Sequence, residues 1–133
     1  MAIREAILNA IVHKNYASAI PVQISVYEDK IYIWNPGQLP NNWTVESLFR
    51  KHSSQPFNPL IATAFYRTGM IEAWGRGIEK IKDECESIGN PLPEYRIDGE
   101  GIMMLFKVSK VGDKVGDKLT DNQRKIIQPE ICV

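Results

Sequence analysis

The segment from Arg4 to Tyr16 constrains the fold more than any other part of this chain. Plotted at about 100° per residue, its apolar side chains cover most of the circumference of a helix, which is typical of a helix buried on nearly all sides. Polar side chains fall on one narrow stripe of this helix, namely Glu5, Asn9, His13 and Tyr16. Unpaired buried polar groups are costly, so the stripe must meet nearby backbone, other side chains, or a cavity that holds water, metal or ligand.

Length and composition bound the architecture. The chain has 133 residues, of which 44% are hydrophobic, and this suits one folded domain with at most a short appendage. The formal net charge is zero, which argues against this segment being the main nucleic-acid-binding surface. Nothing resembles a signal peptide or a membrane span, so we expect a cytoplasmic location and no membrane partner. Because a buried helix starts so close to Met1, we expect a segment of a longer protein.

Two hairpins are predicted. Residues 22–27 alternate between apolar and polar side chains, which predicts a half-buried strand. Residues 31–34 have high β propensity and follow the turn at 28–30, so the two segments form an antiparallel hairpin. Residues 95–97 and 102–108 form a second pair of strands around the turn Asp98-Gly99-Glu100-Gly101.

Helices are predicted between the hairpins. Thr44 is a candidate N-cap for a short helix that runs to about Lys51. Asn58 and Pro59 predict a helix start, and the inner face of that helix would carry Leu60, Ile61, Ala64 and Phe65, with an end at Gly69.

A further helix is predicted before Gly89, with Cys85 on its apolar face as a small buried thiol. Because the strands cluster in sequence, this order favours an α+β two-layer sandwich. We expect a mostly antiparallel mixed sheet with helices on one face.

The character of the chain changes at Lys110. Residues 111–118 repeat the tetrapeptide Val-Gly-Asp-Lys, which has no packing face and predicts a linker over 110–118. Residues 119–133 begin like a capped helix but stop at Pro129, which is too short to bury a core alone. We therefore expect a folded domain over 1–109 and the truncated start of a downstream domain after the linker.

Three separate signals concern chemistry. Glu5 and Asn9 lie one turn apart on the first helix, where a carboxylate can orient water and an oxygen can ligate a hard cation. Asn35 and Gly37 head a loop that leaves a strand, although an ordinary tight loop explains them as well. Gly75-Arg76-Gly77 opens a later helix, where backbone N–H groups and the helix dipole favour phosphate.

The order of these signals resembles the ATPase superfamily shared by gyrase, MutL and the histidine kinases. The resemblance implies that Glu5 is the general base and that Asn9 is the Mg²⁺ ligand. Asn35 and Gly37 stand at the adenine-binding loop, and Gly75 and Gly77 stand at the phosphate-binding glycines.

Other residues near these motifs have two interpretations each. Arg76 and Lys14 are candidates to neutralise phosphate charge, or they are surface side chains. His13 either orients the site or makes a structural hydrogen bond. Trp34 and Trp74 are interpreted as core side chains rather than adenine-stacking ones.

A closer resemblance is to the branch called RecG-like or predicted transcriptional regulator. Four motifs carry it in order, over about residues 3–108: Arg4 to Tyr16, Asn35 to Pro40, Asn58 to Ala62, and Glu72 to Ile78. The resemblance implies a three-part protein with an AlbA/Schlafen-like domain, this ATPase-like domain and a C-terminal winged helix. No P-loop Gly-Lys-Ser/Thr motif occurs in the chain, so the RecG label does not imply a helicase motor.

The resemblance implies a nucleotide-binding regulatory domain of a transcriptional regulator, with ATP and Mg²⁺ as cofactors and weak Mg-dependent ATP hydrolysis as an open question. DNA would be bound through the winged helix rather than this segment, and a homodimer is a further expectation. The alternative is a non-catalytic scaffold for dimerisation or signal relay. It is favoured by Asn35 in place of the family's acidic residue and by Leu39 in place of a glycine.

Overall fold

The structure is a computed structural model that describes residues 1–50, 52–53, 55–72 and 75–109. The linker predicted over 110–118 and the helix start predicted over 119–133 lie outside the described residues. In chain order the elements are α1 (Ala2–His13), β1 (Gln23–Val26), β2 (Lys30–Pro36), α2 (Val45–Leu48), α3 (Pro59–Arg67), α4 (Gly77–Ser87), β3 (Glu94–Asp98) and β4 (Gly101–Lys107). None of these helices is long and apolar enough to cross a bilayer.

The two predicted hairpins are joined into one sheet. Within the described residues it has four strands in the order β1-β2-β4-β3, and every pairing is antiparallel. Ile33 of β2 lies opposite Met104 of β4, which in turn lies opposite Tyr95 of β3. Asn35 lies opposite Ile102 in the next row on the same face. The α+β two-layer sandwich is therefore confirmed, and the sheet is wholly antiparallel in this part of the chain rather than mixed.

The core lies between the sheet and the helices. Ala6 of α1 and Ile81 of α4 are completely excluded from solvent. The small side chains of Ala6 and Ala10 let α1 lie close to the sheet. Cys85 is buried, which confirms its interpretation as a small core thiol. The buried cluster consists of Ala6, Ala10, Ile33, Leu48, Ile81, Cys85, Tyr95, Met104 and Phe106.

The end of α1 is pinned to the end of β2. The backbone N–H of Asn15 donates to the carbonyl of Pro36 at 2.6 Å. A Cβ atom on Gly37 would lie 2.7 Å from the carbonyl oxygen of His13, so this close approach requires glycine. The end of β2 and the following Gly37 therefore serve as a packing surface for the last turn of α1, and Asn35 and Pro36 continue the strand rather than forming the loop expected from sequence.

The helix ends earlier than the polar stripe predicts. Lys14 is in an extended conformation with ψ 136°, so α1 stops at His13 and Tyr16 lies outside it. The hydroxyl of Tyr16 donates to the carbonyl of Ile11 at 3.0 Å. The stripe inside the helix is thus reduced to Glu5, Asn9 and His13, because the anchor to β2 overrides the helical pattern.

Strand β1 was predicted to be half-buried, and this prediction is wrong. All its residues are exposed, including Ile24 and Val26 at 48% and 71%. The helices pack on β2 and β3, while β1 forms the edge of the sheet. The alternation of apolar and polar residues predicts a strand, but it does not show whether a helix covers that strand.

Helix α3 also departs from the prediction, since none of its residues is buried and Leu60 is 87% exposed. Asn58 occupies the N-cap position, but its side chain makes no capping hydrogen bond to α3. Instead its Nδ2 donates to the carbonyls of Val12 and Lys14 at 2.8 and 2.7 Å. This amide satisfies acceptors that the end of α1 leaves open.

Helix α2 begins as predicted. The backbone N–H of Ser47 donates to Oγ1 of Thr44, and the N–H of Thr44 donates to Oγ of Ser47, which together form a capping box. The helix is shorter than predicted and ends at Leu48. Gly69 and Gly89 follow α3 and α4 with φ of +71°, the left-handed conformation expected after a helix end.

Substitution of Asn58 by Asp distinguishes the two roles of this residue. An N-cap for α3 would tolerate Asp, because Asn and Asp are similar caps. A donor to the end of α1 would not, because a carboxylate cannot donate: the Lys14 carbonyl loses this partner, and the Val12 carbonyl keeps only the backbone N–H of Asn58. We expect Asn58→Asp to lower the free energy of unfolding by about 1–3 kcal/mol, measured by urea denaturation.

The control for Asn58→Asp is Asn41→Asp at an exposed loop position. It adds the same charge without removing either of these hydrogen bonds. Equal stability of the two variants would contradict the tether between α3 and α1.

Candidate functional site

The first residue of α4 lies directly against the polar stripe of α1. A Cβ atom on Gly77 would lie 2.6 Å from Oε1 of Glu5 and 3.1 Å from Nδ2 of Asn9. The first distance is shorter than real Cβ contacts and the second is tight, so a side chain at this position would push the ends of the Glu5 and Asn9 side chains away. Two motifs that are far apart in sequence thus meet at one point, and the lack of a side chain allows them to meet.

Glu5 is a carboxylate in an unusual environment. It is only 7% exposed, and this burial raises the pKa of its side chain above the ordinary 4.5. The positive charge of Lys80 opposes the shift, although Lys80 also forms an ion pair with Glu72 at 3.2 Å. The positive end of the α4 dipole lies near the carboxylate as well. A buried carboxylate with a raised pKa is a stronger base than one in water.

A cleft opens between α1, the start of α4 and the helix-facing side of the sheet. Its cavity volume is about 120 Å³. Sites that enclose a whole drug-sized ligand measure roughly 300–1,000 Å³, so the deep part suits one small flat group. It is lined by Ala6, Asn9, Ala10, His13, Ile33, Asn35, Gln38, Leu39, Pro40, Trp43, Leu48, His52, Gln55, Gly75, Gly77, Ile78, Tyr95, Ile102 and Met104.

The polar side chains at the inner end of the cleft carry no charge at neutral pH. Burial lowers the pKa of His13, and a positive charge on His52 would lower it further. Asn35 is 5% exposed, and its Nδ2 donates to the carbonyl of Pro36 at 3.4 Å. The side-chain oxygen of Asn35 remains available as a hydrogen-bond acceptor.

Most of the site residues expected from sequence come together here. Asn9, His13, Asn35, Gly75 and Gly77 all line the cleft, and Glu5 lies beside Gly77 at its edge. Gly75 has φ of +64°, a backbone conformation that strongly favours glycine.

Other expected residues lie elsewhere. Gly37 packs against the backbone of α1 and does not line the cleft. Arg76 is exposed and forms an ion pair with Glu79 at 3.5 Å. The ammonium of Lys14 donates to the carbonyls of Asn15 and Ser18. Both cations therefore have local partners.

Of the two tryptophans interpreted as core side chains, the structure describes Trp34, which does not line the cleft. Trp34 lies on the other face of the sheet from Ile33 and packs against Gly101. Trp74 lies outside the described residues.

Three lining residues were missed from sequence. Trp43 and His52 flank α2, and their rings meet edge to face at a centroid distance of 4.5 Å. Tyr95 was treated only as the start of a strand, yet it is buried and reaches the cleft. An aromatic residue just after the Asn-Pro-Gly loop was the available signal for Trp43.

A wider groove adjoins the cleft and shares Leu48, His52, Gly75 and Ile78 with it. Its cavity volume is about 760 Å³. The basic side chains along it are Arg50, Arg76 and Lys82, interspersed with Glu79 and Asp83. The cleft and the groove together form a path from an apolar interior to a charged surface.

Within the polar stripe of α1, Glu5 and Asn9 offer oxygen atoms that can bind a metal ion. The described residues hold no group of three or more His, Cys, Asp or Glu side chains placed to share a metal ion. Glu5 and Asn9 present a carboxylate and an amide oxygen at the first turn of α4. Mg²⁺ is typically held by one or two carboxylates together with water and substrate phosphates, so this donor set fits that ion.

Comparison with known proteins gives a family and a fold. The family model described as "Putative ATP-dependent DNA helicase recG C-terminal" matches residues 20–106, which begins after α1. The crystal structure of the DIP2311 protein from Corynebacterium diphtheriae is similar, with a TM-score of 0.72 and 23% identity. The match covers 81% of this chain and 22% of that chain, so this chain spans about a fifth of that protein's length. Comparison with curated proteins gives no match.

The structural comparison and the family model both cover most of this chain. This protein therefore belongs to the family of ATPase-like domains related to the C-terminal part of RecG.

Proposed function

We propose that the cleft binds a nucleotide with Mg²⁺, and that the chain is the ATP-binding regulatory domain of a longer transcriptional regulator. The contact of Gly77 with Glu5 and Asn9 is the observation that carries this proposal. It joins a glycine-bearing helix start to a carboxylate and an amide at one end of a cleft that is otherwise largely apolar. A phosphate group and a flat base require these two environments.

The phosphates would lie at the start of α4. This helix has eleven residues, so its first-turn N–H groups and its dipole favour an anion. Gly75 and Gly77 leave room for phosphate oxygens close to the backbone. Arg76 and Arg50 lie along the adjoining groove, where the outer phosphates would emerge.

Asn9 would hold the Mg²⁺ ion through its side-chain oxygen, and Glu5 would orient a water molecule and take its proton. Bound Mg²⁺ supplies neutralisation of phosphate charge. The raised pKa of Glu5 makes its carboxylate a better proton acceptor. These roles extend the resemblance to the superfamily of gyrase, MutL and the histidine kinases, and that assignment is part of the proposal.

The base would occupy the inner part of the cleft. A volume of about 120 Å³ is small for a whole nucleotide, and its lining combines apolar side chains with His13 and Asn35. The amide oxygen of Asn35 would accept from an exocyclic amino group, which retains an acceptor without the charge of a carboxylate.

We also propose the domain limits expected from sequence. Residues 1–109 form the ATPase-like domain, 110–118 a linker, and 119–133 the start of a winged helix through which the longer protein contacts DNA.

The second candidate is a non-catalytic scaffold for dimerisation or signal relay. It is favoured by the neutral Asn35, whose amide nitrogen is used by Pro36. It is also favoured by α3, which exposes Leu60 and Tyr66 and buries none of its residues. The nucleotide-binding candidate predicts that nucleotide stabilises the protein against unfolding, and the scaffold candidate predicts that it does not.

A non-hydrolysable ATP analogue with Mg²⁺ should raise the melting temperature. Ligand at 100 times its dissociation constant adds about 2.7 kcal/mol to the free energy of unfolding. The Asn9→Ala variant should lose the Mg²⁺-dependent part of this shift, because the amide oxygen that holds the ion is removed. Differential scanning fluorimetry with and without Mg²⁺ measures both effects.

Gln23→Ala is the matched control, because Gln23 is an exposed amide on the edge strand β1 and does not line the cleft. It should keep the full ligand-induced shift. No shift in the parent protein at millimolar nucleotide would reject nucleotide binding and favour the scaffold.

Glu5→Gln should stabilise the protein and abolish hydrolysis. Because burial raises the folded pKa of Glu5, its protonation stabilises the fold below the ordinary pKa of 4.5, and this contribution is lost as pH rises through the folded pKa. Gln imitates the protonated form at every pH. The variant should therefore melt above the parent at neutral pH, and the difference should close on acidification.

Loss of the general base should lower the rate of ATP hydrolysis by about 10²–10⁴-fold. Glu28→Gln is the control, since Glu28 is exposed in the turn between β1 and β2 and lines neither the cleft nor the groove. Hydrolysis that is unchanged in Glu5→Gln would remove Glu5 from this role.

A further inference from the structure

Tyr95 has a hydroxyl group that the fold leaves without a partner. The residue is 9% exposed, and its hydroxyl oxygen is buried with no hydrogen bond among the described residues. It is the only side-chain group of this kind in the described part of the chain. A buried donor and acceptor without a partner is costly, so such a group is retained where something outside the fold pairs with it.

The position of Tyr95 connects this hydroxyl to the cleft. Tyr95 pairs with Met104, and Met104 pairs with Ile33, so the three side chains form one row on the helix-facing side of the sheet. All three line the cleft. Phe49 packs edge to face on the Tyr95 ring at a centroid distance of 5.5 Å. Phe49 thus covers the Tyr95 ring on the side that faces α2, and the ring stays between the sheet and the helices.

The chemistry of the group is that of a neutral phenol. Burial raises the pKa of Tyr95 far above its ordinary value, and negative charges at Cys85 and Glu5 would raise it further. The hydroxyl therefore both donates and accepts. Two other polar side chains that line the cleft, His13 and Asn35, are uncharged as well. This set suits a neutral ring with hydrogen-bonding edges and offers no cation to a phosphate.

We propose that the hydroxyl of Tyr95 hydrogen-bonds the edge of a purine base and so helps determine which nucleotide the cleft accepts. This inference rests on the proposed function and adds a specificity-determining residue to the same site. In it, Tyr95 works from β3 together with Asn35 on β2, so the base is read from two strands of the sheet.

Tyr95→Phe tests this directly, because it removes the hydroxyl and keeps the ring. The free protein should be no less stable than the parent, since the hydroxyl has no partner to lose. Affinity for ATP should fall about tenfold, which is the scale of one lost hydrogen bond to a ligand. Because the edges of adenine and guanine differ, the loss should differ between ATP and GTP. Isothermal titration calorimetry with each nucleotide and Mg²⁺ measures both affinities.

Tyr27→Phe is the matched control, because Tyr27 is exposed just after the edge strand β1. It should bind both nucleotides like the parent. Unchanged affinity in Tyr95→Phe would overturn the inference and leave nucleotide binding intact, with a buried water as the partner of the hydroxyl.

Two further outcomes would also count against the role of Tyr95. Equal weakening of ATP and GTP would overturn base reading, because the lost contact would then involve the sugar, the phosphates or the fold. If the parent protein itself binds neither nucleotide, the proposed function fails and this inference fails with it. The parent titration therefore separates failure of the site from failure of the residue.

Discussion

The missing side chain at Gly77 is the constraint on which the rest of this structure depends. It lets the first turn of α4 meet α1 at Glu5 and Asn9. From that point α4 runs back along α1, so the N-terminal amino group lies 3.5 Å from Glu84 in an ion pair. The same course places Ile81 and Cys85 in the core. This close contact lies where α1 packs on α4 at the edge of the cleft, so the candidate site and the helical layer share the same residues.

The cleft has two chemically different ends. At α4, the buried carboxylate of Glu5 lies beside the first turn of the helix, and its burial costs stability while the group is ionised. Elsewhere in the cleft, His13 of α1, Asn35 of β2 and Tyr95 of β3 supply hydrogen-bonding groups without charge. The zero net charge of the whole chain does not reveal this difference between the two ends of the cleft. Such a gradient favours a ligand with an anionic part and a neutral aromatic part, and it orients that ligand along the cleft.

Local patterns predicted the order of elements, both hairpins, the Thr44 cap and the buried thiol of Cys85, because these depend on periodicity and on neighbouring residues. They failed where a distant contact decides the outcome. The hydrogen bond from Asn15 to Pro36 ends α1 before Tyr16. The Asn58 side chain, which was expected to cap α3, donates to the end of α1 instead. The proximity of Glu5, Asn9 and Gly77 followed from motif order. The part of Tyr95 did not, because its burial depends on Phe49 and on pairing with a strand that is distant from both motifs.

The attachment of α3 has a consequence for how the molecule opens. This helix buries no side chain, and hydrogen bonds from Asn58 to the end of α1 hold its start. We therefore expect its amide protons to exchange with solvent by local opening while those of β2 and β4 remain protected. The carbonyls that Asn58 holds flank His13 in sequence, so each opening of α3 would free the backbone on both sides of a cleft residue. Local unfolding and ligand occupancy would then be thermodynamically linked.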